Sequence, residues 1–494
     1  MSDYIQELNE GQRAAVLYND GPSLVIAGAG SGKTRVLTYK IAYLIREKKY
    51  DARNILALTF TNKAAKEIIE RVNRDIGYPW SYYIWMGTFH SIFSRILRRE
   101  ANILGFTRNY TIYDTTDSRS LIHSIIKELG LNDKQYKPST VLSRISNAKN
   151  YLNTPADYAK NKEAYESDCL AKMPAIRDIY DRYWERCRQA DAMDFDDLLF
   201  YTFLLFHNHP EVLARYQELF RYVLVDEYQD TNYAQHCILC QLMKDREKQH
   251  ICVVGDDAQS IYSFRGADID NILNFTKVYP ETKVFKLEQN YRSTQIILDA
   301  ANAVIENNSG RKPKNLWTEN KSGADIIYFQ AVDERDEARF VIEQLQNLQR
   351  TENKKLGDMA ILYRTNTQSR IFEEMLIKSG ISYNMVGGLK FYERKEIKDI
   401  IAYLRVIFNP ADSLSLLRII NVPKRGIGDA SLAKIQAYAA ANNVSLFEAV
   451  SNAAAIDGLS SRFVSKLDDL AGIIFELMNL AGEAPVEDLI DRVL

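Results

Sequence analysis

The clearest chemistry in the chain lies in Ala27–Thr34, which reads AGAGSGKT. Ala27, Gly28, Ala29, Gly30, Ser31 and Gly32 carry small side chains or none, so backbone N–H groups can close on phosphate oxygens. Lys33 follows, placed to bridge the outer phosphates of a nucleoside triphosphate. Thr34 offers its hydroxyl to Mg²⁺. The strict GxxxxGKS/T pattern is missed at its first glycine, where Ala27 stands, but the loop's place between an apolar run and a helical one compensates. A second piece is Asp226-Glu227, which ends the apolar run YVLVDE. Asp226 is expected to reach Mg²⁺ through water, and Glu227 to orient and deprotonate an attacking water. Loop and carboxylates together predict binding and hydrolysis of a nucleoside triphosphate with Mg²⁺.

Such a loop needs a strand to deliver it and a helix to follow, because the helix N-terminus favours negative charge. Leu24–Gly28 reads as a buried strand, with a helix after the loop to about Arg46. Ile55–Phe60, Ile84–His90, Tyr222–Asp226 and Ile251–Gly255 read as further strands, and a helix runs from Asn62 to about Asp75. Short apolar strands alternating with amphipathic helices predict the α/β class, a parallel sheet covered on both faces. Between Arg98 and Ala190 the chain turns polar, Tyr-rich and helical, as an insertion would. A second α/β series is expected from Lys283, with strands at Val284–Leu287, Ile326–Ala331 and Met359–Tyr363. From Ile381 the pattern is helical again. Tyr392–Ile407 is periodic until Asn409-Pro410, and Pro423–Gly428 reads as a turn between helices.

Composition narrows the partners. With 494 residues and 46% hydrophobic content, several cores can form. A net charge of −2 excludes a generally basic nucleic-acid coat, so nucleic-acid contact must come from a local patch or from stacking. Thirty tyrosines and 20 phenylalanines could supply the stacking. The five cysteines, an odd number in a long chain, point to reduced thiols in the cytoplasm. Cys237 and Cys240 form a single CxxC with no second pair, and read as helix core. The polar N-terminus is not a secretory signal, and no apolar run reaches membrane-spanning length. His123, His207, His209, His236 and His250 show no metal-ligand or triad spacing. Arg95, Arg98 and Arg99 share one helix face, which phosphates or solvent could occupy.

Colinear segments then resemble the UvrD/Rep/PcrA family of superfamily 1 DNA helicases. They are LNEGQ with Gln12, ALTFTNKAAKE (Ala57–Glu67), GTFHS (Gly87–Ser91), MDFDDLL (Met193–Leu199) and DEYQDTN (Asp226–Asn232). VGDDAQSIYSFRGA (Val254–Ala267), QNYRS (Gln289–Ser293), LYRTN (Leu362–Asn366) and FYERKEIKD (Phe391–Asp399) follow. The resemblance implies RecA-like sheets, one complete and one partial, with helical insertions. It divides the chain into a first RecA-like domain at 1–104 and 191–280, a helical insertion at 105–190, part of a second RecA-like domain at 281–380, and an incomplete helical domain at 381–494. It implies that Arg35 and Tyr291 sandwich adenine while Gln12 bonds its edge, that Gln259 senses the γ-phosphate, and that Arg292 is an arginine finger.

The same resemblance places Phe60, Tyr262 and Phe264 on single-stranded DNA, with Thr61, Asn62, His90, Arg265 and Asn366 as phosphate or sugar contacts. Stacking of this kind contributes about 1–3 kcal/mol per base and needs no surplus of positive charge. The family often has Trp where this chain has Phe264. Gln259 lies three residues before Tyr262 and six before Arg265, so one segment could touch the γ-phosphate and DNA at once. Nucleotide-gated stepping is therefore expected. The patterns of motifs V and VI do not occur between Ile381 and Leu494, and the sequence reads as a fragment that binds ATP but unwinds poorly. The leading expectation is an ATP-dependent 3′-to-5′ DNA helicase acting on single strands and single/double-strand junctions, with repair or replication proteins as partners. A nucleotide-binding regulator without turnover and the motor of a helicase–nuclease complex are the alternatives.

Overall fold

The computed structural model describes residues 3–76, 80–308, 310–386 and 394–494. Its strands are β1 (Ser23–Ala27), β2 (Ile55–Thr59), β3 (Trp85–Thr88), β4 (Thr111–Tyr113), β5 (Ala192–Asp194), β6 (Tyr222–Val225), β7 (Ile251–Gly255) and β8 (Lys283–Leu287). Six of them form one parallel sheet in the order β3-β2-β6-β7-β1-β8. The α/β class expected from the alternating pattern is the class found. The central strands are buried along their whole length because both faces are covered. Successive residues alternate between two cores. Leu24, Ile26, Leu56, Leu58, Val223 and Val225 join one, under the helices Phe89–Glu100, Phe195–Asn208 and Tyr233–Met243. Val25, Ala27, Ile55, Ala57, Tyr222 and Leu224 join the other, under Glu10–Leu17, Lys33–Arg46 and Asn62–Ile76.

Parallel register fixes what meets at the carboxyl edge of the sheet. Val25 pairs with Val254, Ala57 with Leu224, and Leu224 with Cys252. Ala27, Phe60, Asp226 and Asp256 therefore emerge at one edge, where ligands of open α/β sheets bind.

The helices Thr115–Glu128, Pro138–Asn150 and Ile176–Gln189 surround a core of their own, which includes Ile122, Val141, Ile145, Ile179 and Tyr183. Lys149 ties this insertion to the segment entering Phe195–Asn208. Its buried ammonium lies 2.7 Å from both Asp194 and Asp197. The later helix Lys395–Phe408 bonds the insertion too, through Arg405 to Asp117 at 2.7 Å. The chain separates into two compact units, one of Met1–Gly323 with Tyr403–Val493 and one built on Ala324–Ala402.

The expected second sheet is not formed among the described residues. Lys283–Leu287 is a strand, but it pairs with β1 as the sixth strand of the first sheet, Val25 opposite Phe285. An apolar run carries no mark of which sheet it will join, and the edge of β1 offered it a ladder. Ile326–Ala331 and Met359–Tyr363 are irregular, with Ile327, Tyr328 and Leu362 at 70%, 84% and 93% exposure. A strand exists only through the partner that pairs its N–H and C=O groups, and among the described residues neither segment is paired with another strand. Of the FYERKEIKD segment, residues 391–393 lie outside the described residues.

Candidate functional site

The phosphate loop leaves β1 and enters the helix Lys33–Arg46, as expected. Gly30 and Gly32 take φ of 67° and 87°, a region that disfavours other residues. A Cβ on Gly30 would lie 2.6 Å from Asn290 Nδ2 and 2.8 Å from Arg292 Cβ, so the close approach also demands glycine. Ser31 braces the turn by donating its hydroxyl to the Gly28 carbonyl at 2.7 Å. Gln12 is buried and hydrogen-bonded. Its Nε2 donates to the Ser31 carbonyl at 2.9 Å, and with Asn9 it closes the capping box of Glu10–Leu17. Gln12 thus holds the loop from behind.

Lys33 Nζ sits 2.6 Å from Glu227 Oε2, which joins the two motifs. Glu227 itself has φ 48°, at the turn that re-aims the chain after β6. Asp226 is buried, and burial followed by the neighbouring Glu227 pushes its pKa up to about 7. Asp230 is pushed to about 7 by the same two causes in the same order. From Glu227 a chain of hydrogen bonds crosses the site. Gln229 Nε2 donates to Glu227 at 2.9 Å, Asp256 N donates to Gln229 Oε1 at 2.9 Å, and Gln259 Nε2 donates to Asp256 Oδ2 at 2.6 Å. The base candidate and the γ-phosphate candidate are linked through two side chains between them.

The segment after β8 lies across the loop. Asn290 Nδ2 donates to the Ala29 carbonyl at 2.5 Å, and Tyr291 N donates to the Gly30 carbonyl at 3.0 Å. Asn290 Oδ1 accepts from the N–H groups of Arg292 and Ser293, which sets the exposed Arg292 beside Gly30. Arg35 lies 5.3 Å over the ring of Tyr39 and donates to Glu7 at 2.8 Å. The Tyr291 hydroxyl accepts from Asn9 at 2.8 Å and donates to Gln289 at 2.8 Å. Thr34 is the second residue of the helix and is half-buried. Among the described residues no three His, Cys, Asp or Glu side chains are clustered for a metal. The hydroxyl of Thr34 and the carboxylate of Asp226 are oxygen donors of the kind a Mg²⁺ ion takes.

A second group stands at the same edge. Phe60 and Tyr262 rings lie 5.1 Å apart, and Tyr262 and Phe264 6.0 Å apart, with the Arg265 guanidinium 5.2 Å over Tyr262 and 5.5 Å over Phe264. Phe264 is 66% exposed. Thr61 and Asn62 are exposed, and Thr61 Oγ1 accepts from Ala64 N in the first turn of Asn62–Ile76. His90 meets the exposed Phe195 edge-on at 6.0 Å, and burial lowers its pKa to about 4. Asn366 lies in the other compact unit, exposed, its carbonyl accepting from Ser369.

Sequence reasoning missed Gln229, Asn290, Asp256 and Lys314. The first three stand within or beside quoted motifs without a role. Lys314 carries no local signal at all. Its buried ammonium lies 2.7 Å from Asp256 and 2.6 Å from Asp257. The three arginines of the basic helix face stack on aromatic rings, Arg95 and Arg99 at 4.4 and 4.7 Å from Trp85, and Arg98 at 4.0 Å from Tyr110. Cys237 and Cys240 are half-buried on Tyr233–Met243, and burial pushes the Cys240 thiol up to about 11. No described helix is long and apolar enough to cross a membrane.

Residues 8–280 match the UvrD/REP helicase N-terminal domain, and residues 285–458 the UvrD-like helicase C-terminal domain. The chain is 49% identical over 494 residues to the ATP-dependent DNA helicase PcrA of Staphylococcus aureus, covering all of this chain and 66% of that protein. It is 50% identical over 487 residues to the PcrA of Bacillus subtilis, covering 99% of this chain and 64% of that one. The chain thus spans just under two thirds of the length of these relatives. With the first of these domain matches running over more than half of its residues, the chain belongs to the UvrD/REP helicase family.

Proposed function

We propose that this chain is the ATP-hydrolysing, DNA-gripping part of a DNA helicase that moves 3′ to 5′ along single strands and acts at junctions in cytoplasmic repair or replication. The observation that carries the reading is the bonded path Lys33–Glu227–Gln229–Asp256–Gln259, which runs from the phosphate loop to within three residues of the Tyr262 shelf. A cleft that reads a phosphate at one end can shift an aromatic grip at the other.

In this reading Lys33 exchanges Glu227 for the outer phosphates of ATP, and the loop N–H groups between Gly28 and Thr34 hold the rest. The released Glu227, still oriented by Gln229, takes a proton from the attacking water. Mg²⁺ held by Thr34 and Asp226 would supply charge neutralisation between the phosphates. Gln259 and Arg292 stabilise the transferring group, and Arg35 and Tyr291 flank the adenine. The bases stack on Phe60, Tyr262 and Phe264, with Thr61, Asn62, His90 and Arg265 on the backbone.

Steady-state phosphate release with and without single-stranded DNA tests this directly. DNA should stimulate turnover, and Glu227→Gln should lower it by roughly 10²–10⁴-fold while fluorescent ATP-analogue binding persists. Unstimulated turnover, or a Glu227→Gln chain as active as the parent, sinks the reading.

A further inference from the structure

The amino edge of the sheet, opposite the nucleotide, carries a cavity of about 560 Å³. Asn54, Arg221 and His250, the residues immediately before β2, β6 and β7, line it. Its charge is one-sided. Lys48, Lys49, Arg221, Arg246 and Lys248 all face it, and Asp51 is the one carboxylate in the lining. Asp51 is already engaged, bonded to Arg53 at 2.7 Å, which holds its carboxyl below the usual range. Among the described residues none of the five cations has a carboxylate partner.

The floor is built rather than incidental. Arg246 is fixed by donating to two backbone carbonyls, Phe220 at 2.9 Å and Gln217 at 2.6 Å, which orient its guanidinium without neutralising it. His250 is stacked on Tyr222 at 5.5 Å and held edge-on by Tyr50 at 6.4 Å. Arg246 Nε and His250 Nδ1 are both buried with no hydrogen-bond partner. Leaving such atoms unsatisfied is costly, and both belong to residues that line the cavity. Burial first, and then Lys248, Arg246 and Lys40, lower the His250 pKa, against a weaker opposing effect of Asp20. The field here is therefore positive at the floor as well as at the rim.

We propose that this cavity is an anion site for a multiply charged phosphate, with Arg246 and His250 as its floor and Lys48, Lys49, Arg221 and Lys248 as its rim. A guanidinium with adjacent ammonium groups matches phosphate oxygens in charge and in donor geometry. The volume exceeds one phosphate and admits a pyrophosphate group with room to spare, which a free oligophosphate or a nucleic-acid backbone could supply. The site stands apart from the nucleotide reading, since none of its residues touches the phosphate loop.

The test uses the full chain carrying Lys33→Ala, which blanks the phosphate loop, titrated calorimetrically with pyrophosphate at low ionic strength. Pyrophosphate should bind this chain, and Arg221→Glu with Lys248→Glu, both exposed positions, should weaken it by roughly tenfold or more. Circular dichroism checks that the reversed chain is folded. As a second readout, the His250 imidazole followed by NMR should titrate higher with pyrophosphate present. A short oligothymidylate that displaces pyrophosphate assigns the phosphate to a nucleic-acid backbone, and one that does not assigns it to a free oligophosphate. The proposal is overturned if pyrophosphate does not bind the Lys33→Ala chain, if charge reversal leaves binding unchanged, or if an oligoglutamate peptide binds as tightly.

Discussion

At the scale of single residues, the site stores its charge in buried carboxylates. Asp226 has its pKa pushed up to about 7 by burial and then by Glu227, against an ordinary value of 3.8. The folded chain holds this proton after the unfolded chain has released it, so stability from this group falls as pH rises from about 4 to about 7 and is level above. A divalent cation favours the ionised form, so Mg–ATP binding near pH 7 should release a proton. Calorimetry in buffers of different ionisation heat measures it. The release should fade well above pH 7 and disappear in Asp226→Asn, and a pH-independent proton count would rule out Asp226 as the proposed Mg²⁺ ligand. Lys314 makes a second case. It is the cation shared by Asp256 and Asp257, and Lys314→Ala leaves both carboxylates buried without it. We expect a loss of about 3–5 kcal/mol in urea unfolding, because stranded buried charge costs more than the pair contributed. Loss of the Asp256 anchor should also slow turnover more than it weakens ATP-analogue binding, since Asp256 holds Gln259.

Among the elements, the segment after β7 matters most. It leaves the sheet at Gly255, turns at Asp256, and carries Gln259 and the Tyr262–Phe264 shelf within a few residues. Tyr262 is half-covered by Phe60, whereas Phe264 projects. Tyr262→Ala with Phe264→Ala should weaken a fluorescent oligothymidylate by about 10-fold or more, given about 1–3 kcal/mol per stacked base. ATP-analogue affinity should hold. If anisotropy shows no change in DNA affinity, these rings are packing and not a grip. The segment after β8 is the complementary element. Its hydrogen bonds to the Ala29 and Gly30 carbonyls set Arg292 against the loop, so the finger candidate is positioned by backbone contacts to the residues it would serve.

Across the whole molecule, the helical parts are tied to the sheet by a few buried polar links. Lys149 with Asp194 and Asp197 joins the insertion to the helix Phe195–Asn208. Asn409 donates to Thr111 Oγ1 at 2.9 Å and to the Ala190 carbonyl at 3.0 Å, and Tyr113 donates to Asp412 at 3.0 Å. These bonds hold both ends of the β4–β5 pair. Lys149→Ala should therefore destabilise by roughly 3–5 kcal/mol. Limited proteolysis should cut between Arg108 and Ala190 before it cuts the sheet. A mutant that melts and digests like the parent would show that the insertion is held by its apolar contacts alone.

Much of this was legible in the residues. The phosphate loop, the strands ending at Ala27, Val225 and Gly255, and the helical character of the insertion all rest on local pattern. A strand–loop–helix unit is specified by a dozen neighbouring residues, so AGAGSGKT and YVLVDE could be placed without knowing anything distant. Pairing across distance could not be read this way. Asn290 meets Ala29 from 261 positions away, and Lys314 meets Asp257 from 57 away, with no periodicity to announce either. Sheet membership was equally hidden. Lys283–Leu287 looks like any apolar strand, and only the open ladder beside β1 made it the sixth strand, while Ile326–Ala331 and Met359–Tyr363 found no ladder. The amino acids by themselves determined which short segments could cradle phosphate, ionise or stack, because those are properties of local chemistry. The tertiary structure decided which of them are neighbours, because a buried charge or an unpaired strand is settled only by the partner that folding brings to it.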